Sequence, residues 1–150
     1  MTATLEESAD RHRWTFDAHR VTRLCVEPSA MRIETWTLDA SAEVRIAAPF
    51  RYREPDGSER AIDPGEPERL APLLGLLQRR LEWLEVVRAG EITLRFGDGS
   101  ELRCAPRGRG ATWEMHGGGA LEGIEYRGVS GEVPWKGEGA GIALRALEQL

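Results

Sequence analysis

Arg103, Arg107 and Arg109 crowd into the run RCAPRGRGATW, and Trp113 closes it. Guanidinium groups so placed could pair with phosphate or carboxylate while the indole stacks on an unpaired base. The same residue types also solvate a sheet edge and bury one ring, and the alternating residues on either side favour that reading. Trp135, in GEVPWKGEG, is the indole whose glycine-rich setting best permits exposure. Arg103, Arg107, Arg109, Trp113 and Trp135 therefore form the candidate interaction surface. The passage from LRCAP through RGRG to ATWEM predicts that Trp113 packs as an anchor, with Arg107 and Arg109 at its rim.

Other chemistry is thinly represented. His12, His19 and His116 fall in no HExxH or compact ligand series, so no metal or cofactor is expected. Ser130 sits in GVSGE, which lacks the GxSxG nucleophile elbow and its strand-to-helix setting. Glu101 and Glu114 are two carboxylates among many, and without a shared pocket neither carries a catalytic role. Cys25 and Cys104 lie far apart in strand-like sequence and read as buried free thiols. No catalytic residue is assigned, and an enzyme is the less favoured reading.

The glycines of GEITLRFGDGSELRCAP raise a choice between an anion-binding loop and a turn. A phosphate loop hands its glycines to a helix, whereas this one hands them to a second alternating strand. The expected structure is a hairpin with Gly99 in a left-handed bulge and Ser100 opposite Phe96. Arg95 then faces Glu101, Leu94 faces Leu102 and Ile92 faces Cys104; a two-residue slip would set Arg95 against Arg103.

Around this hairpin, HRWTFDAHRVTRLCVE reads as two short strands and MRIETWTLDASAEVRIAAPF as another hairpin, with Trp36 and Leu38 sharing a face with Val44 and Ile46. Leu70, Leu73, Leu74 and Leu77 follow the spacing of an α-helical stripe, with Pro72 either near the first turn or kinking the helix and Arg79 and Arg80 at the C-terminal end. GIEYRGVSGEVPWKGEGAG suggests further short strands, and IALRALEQL a short closing helix. EVRI before Ala48-Pro49 echoes ELRC before Ala105-Pro106, suggesting a duplicated β unit at 21–50 and 84–106. The expected fold is α+β: antiparallel and β-rich, with two hairpin-containing units and one main helix packed on the sheet. Residues 1–10 would be a flexible lead to a single domain at 11–150.

The 150 residues carry a formal charge of -5 with 41% hydrophobic residues, a composition that gives no global attraction to nucleic acid or anionic membrane. No apolar run approaches the roughly 20 residues of a membrane helix, and MTATLEESADRHRW has no secretory apolar region, so the cytoplasm is expected.

The succession of a Val-x-x-Leu-x-Val strand, EVRIAAPF, a proline-containing leucine helix, LRFGDGSELRCAP and ATWEMHG resembles a small bacterial α+β domain family of uncharacterised function, over roughly residues 21–117. GVSGEVPWKG stands where relatives carry a further tryptophan strand but departs from their pattern. The resemblance makes Phe96, Asp98, Gly99, Leu102, Pro106, Trp113 and Glu114 family positions, each with a structural account. Small domains of this kind accompany bacterial toxin or regulatory systems, which implies an interaction role. The leading expectation is thus a noncatalytic protein-interaction module, regulatory or inhibitory, whose partner is another protein or a second copy. The alternative is a small-molecule-binding or enzymatic domain with an aromatic pocket walled by Trp36 or Trp113; nucleic acid ranks below both.

Overall fold

The computed structural model describes residues 3–108 and 110–129. The expected α+β fold with one main helix is not what forms. Among the described residues the chain is antiparallel β in two sheets, and its helix is a short 3-10 helix, Pro67–Leu76. The leucine stripe follows the tighter geometry. With three residues per turn, Leu70, Leu73 and Leu76 fall on one face and are buried, while Leu74 and Leu77 point to solvent. Pro72, inside the helix, lacks an amide donor, which disfavours a continuous α-helical ladder, while Pro67 suits the first turn.

The chain begins with β1 (Ala3–Glu7) paired to β2 (Arg11–Phe16), so the lead expected to be flexible contains an edge strand. Next come β3 (Arg20–Glu27), β4 (Ala30–Trp36) and β5 (Ala40–Ile46), which form a meander. A hairpin of β6 (Phe50–Arg53) and β7 (Glu59–Ile62) leads to the 3-10 helix. A second meander runs through β8 (Leu81–Val87), β9 (Ile92–Phe96) and β10 (Glu101–Cys104), and a second hairpin follows, β11 (Trp113–Gly119) with β12 (Glu125–Gly128).

These strands distribute into a large sheet, β1-β2-β8-β9-β10-β6-β7, and a small sheet, β12-β11-β5-β4-β3. Each meander therefore pairs with the hairpin of the other half of the chain: β6 joins β10, and β11 joins β5. The chain changes sheet three times, between β2 and β3, at Ala48-Pro49 between β5 and β6, and at Ala105-Pro106 between β10 and β11; the last two exchange the hairpins. Proline cannot donate to a ladder, so at these two hairpin exchanges pairing stops beside Pro49 and Pro106 and the chain is free to cross. The Arg20–Arg80 bridge and the bonds Val21 N to Arg79 O and Gln78 N to Val21 O tie β3 to the segment entering β8.

The hairpin of β9 and β10 adopts the register that charge favours: Arg95 opposite Glu101, Leu94 opposite Leu102, Ile92 opposite Cys104. Phe96 N bonds Ser100 O, and Gly99 has φ 89. The hairpin of β4 and β5 differs from expectation. Thr37 Oγ1 accepts from Asp39 N and Ala40 N and sets Trp36 opposite Ser41, so Trp36 faces outward, while Leu38 at the tip is exposed. Met31, Ile33 and Thr35 take the inner face with Val44 and Ile46. One apolar cluster joins both sheets, with Trp14, Leu84, Leu94, Phe96 and Leu102 from the large one and Ile33, Val44, Ile46, Trp113 and Met115 from the small one.

Candidate functional site

Trp113 is an inner-face residue of β11, 1% exposed. Its indole N–H donates to Gly90 O at 2.8 Å, and its ring lies across Gly128, where any side chain would overlap it. Trp113 thus anchors the place where β10 crosses to β11. Arg107 is exposed in that crossing, its loop held by the backbone N–H donating to Thr112 Oγ1 (2.8 Å) and by the Thr112 hydroxyl donating to Arg107 O (3.1 Å). Arg103 projects from the outer face of β10, 51% exposed. Arg109 and Trp135, like Ser130 and the expected closing helix, lie outside the described residues. The candidate residues therefore divide: Trp113 holds the core, and Arg103 belongs to a surface.

That surface has two rows. In one, Arg95 of β9, Glu101 of β10, Arg53 of β6 and Glu59 of β7 stand side by side. In the other are Thr93, Arg103, Arg51 and Ala61. Glu101, 8% exposed, is the hub of the first row, with Arg95 Nη1 at 2.7 Å, Arg53 Nη2 at 3.0 Å and Arg103 Nη2 at 3.4 Å. One enclosed carboxylate thereby restrains three guanidiniums. The adjoining half of the sheet is balanced: Glu85 takes both Arg11 and Arg13, and Arg13 lies 4.2 Å over the Trp83 ring. Sequence reasoning missed Arg51, Arg53 and Arg95 as members of this surface. For Arg51 and Arg53 the signal was the alternation FRYR, whose arginines had to point away from the buried Phe50 and Tyr52, and for Arg95 the alternation ITLRF.

The outer face of the small sheet is also charged, and there Arg32 and Arg45 are each held against carboxylates. Arg32 and Arg45 are cross-strand neighbours, and Glu27 bridges them, one oxygen 3.4 Å from Arg32 Nε and the other 3.0 Å from Arg45 Nε. Arg32 also meets Glu43 at 3.2 Å, and Arg45 stands beside Glu114.

The buried titratable groups serve the fold. Tyr126 Oη accepts from the Trp14 indole at 3.0 Å and lies 2.8 Å from His12 Nδ1, linking β12 to β2 across the two sheets. Burial pushes Tyr126 up to about 12 and lowers His12, against the pull of the Glu7 carboxylate. His19, 3.3 Å from Thr35 Oγ1, is likewise lowered by burial. Burial raises the Cys104 thiol to about 12, leaving it protonated and unreactive at neutral pH. Among the described residues no three His, Cys, Asp or Glu side chains gather as a metal site. Of the two tryptophans offered as a pocket wall, Trp36 stands exposed on the outer face of the small sheet and Trp113 is buried on its inner face.

Among the described residues no helix is long and apolar enough to cross a membrane. Comparison with curated proteins and with solved structures gives no match. A family model does match, over residues 14–122, taking in both meanders, the proline crossings at Pro49 and Pro106 and the arginine rows. The chain belongs to that family, described as a family of unknown function (DUF6188).

Proposed function

We propose that this protein is a noncatalytic interaction module that binds another protein through the outer face of its large sheet, acting as a regulator or inhibitor in the bacterial cytoplasm. The observation that carries the reading is the charge on β9, β10, β6 and β7: Arg51, Arg53, Arg95 and Arg103 against Glu59 and Glu101, in a chain of net charge -5. An acidic molecule that concentrates arginine on one flat face has a surface for orienting a macromolecule. Arginine is enriched at protein interfaces, and its planar fork can be held ready by a neighbouring carboxylate. The cytoplasmic assignment is supported by Cys25 and Cys104, both free thiols.

The test is hydrogen exchange on the full chain bound to a purified partner recovered from its host. Protection concentrated at residues 51–53 and 93–103 is the expected result. Protection confined to the small sheet, or formation of a specific complex with no change on these strands, would overturn the assignment of this face. A homodimer protecting the same strands would retain the face and make the partner a second copy.

A further inference from the structure

We propose that Arg51 and Arg103 form a subsite for a single carboxylate supplied by an acidic polypeptide segment. The inference rests on the interaction reading above and names the chemistry of the partner. Arg103 and Arg51 are directly opposed on β10 and β6. Like charges in that relation repel across a few ångströms unless an anion lies between them. The small sheet contains the same problem with its solution in place: Arg32 and Arg45 are opposed in the same manner, and the two oxygens of Glu27 are shared between them.

Among the described residues the large sheet supplies no such bridge. The neighbours of the pair along its row are Thr93 and Ala61, both uncharged. Among the described residues Arg103 reaches only an oxygen of Glu101, at 3.4 Å, and that carboxylate already holds Arg95 and Arg53 at shorter range. Arg51 has Glu59 at 3.5 Å. Both guanidiniums are solvent-accessible, 72% for Arg51 and 51% for Arg103. An incoming Asp or Glu can therefore take the place that Glu27 occupies on the other sheet, one oxygen to each arginine. That precedent is a carboxylate carried on a polypeptide, which favours an acidic protein segment over a nucleic-acid phosphate. A partner segment rich in Asp and Glu would also be steered toward this face by the surrounding arginines.

The experiment titrates the full chain with a poly-glutamate peptide, with a length-matched poly-lysine peptide and a single-stranded oligonucleotide as comparators. The double variant Arg51→Gln, Arg103→Gln is set beside a charge-matched control on the small sheet, Arg23→Gln, Arg127→Gln. We expect salt-sensitive binding of poly-glutamate alone, weakened about tenfold or more by the first variant and less than about twofold by the control. Equal loss in both variants, tighter binding of the oligonucleotide, or no binding of poly-glutamate would overturn the subsite. Circular dichroism of each variant separates loss of the site from loss of the fold. If exchange with a purified partner protects these strands while the double variant binds that partner normally, the subsite fails and the module survives. If poly-glutamate binds through the pair but the partner docks elsewhere, the module's assigned face fails and the subsite survives.

Discussion

At the scale of single residues, Gly128 and Trp113 show how a missing side chain can matter as much as a large one. β12 sets Gly128 directly opposite Trp113, and the indole occupies the volume that a Cβ would need on its way to the Gly90 carbonyl. Gly128→Ala should therefore destabilise the protein by about 3 kcal/mol, a fall of roughly 10 °C in Tm on a calorimetric scan. Wild-type stability in that variant would show that the ring can move aside. Trp113 was legible in the sequence as an aromatic anchor, because a strand pattern surrounds it. Arg51 was not, since its neighbour Arg103 is 52 positions away along the chain and only the sheet crossings bring the two together.

At the scale of elements, local rules succeeded where turn chemistry and charge acted together. The β9–β10 hairpin could be placed in register because Arg95 and Glu101 reward one alignment and Arg95 and Arg103 penalise the other. In the β4–β5 hairpin the Thr37 side chain sets a turn that moves Trp36 to the outside, a shift of parity that alternation alone does not reveal. The leucine segment was misjudged through its period, since spacings of three and of three-to-four residues overlap over so short a run. Leu73→Ala and Leu74→Ala separate the two geometries. An α-helical stripe would bury both residues, but here Leu73 is enclosed and Leu74 is open. The first substitution should cost about 2–4 kcal/mol in urea denaturation and the second less than about 0.5 kcal/mol. Similar losses from both would contradict the 3-10 helix.

At the scale of the whole molecule, the two buried histidines couple stability to pH. Burial lowers both imidazoles, so the folded state favours their neutral forms. Their contribution is present above the unfolded value of about 6.5 and is lost as pH falls through the lower folded values, because the unfolded chain binds protons more readily. The urea midpoint should therefore drop between pH 7.5 and pH 5.5, and His12→Gln should flatten part of that slope. A midpoint that stays level in the wild type would mean that neither ring resists protonation. For His12 the cost is burial of the charged ring, added to by the Arg88 guanidinium and opposed by the Glu7 carboxylate 3.7 Å from Nε2.

The exchange of hairpins between halves also bears on how the chain reaches this state. Until β6 arrives, β10 lacks one neighbour, and until β11 arrives, so does β5. During refolding each meander therefore waits with an open ladder for a hairpin distant in sequence, and the hairpin of another molecule fits that ladder equally well. Dilute chains should close upon themselves, whereas concentrated ones should trade hairpins and yield interlinked dimers. Size-exclusion chromatography after refolding at about 1 μM and at about 100 μM would display the difference, within the concentration range where transient strand edges cause misassembly. A purely monomeric product at both concentrations would show that each chain closes before it meets a neighbour.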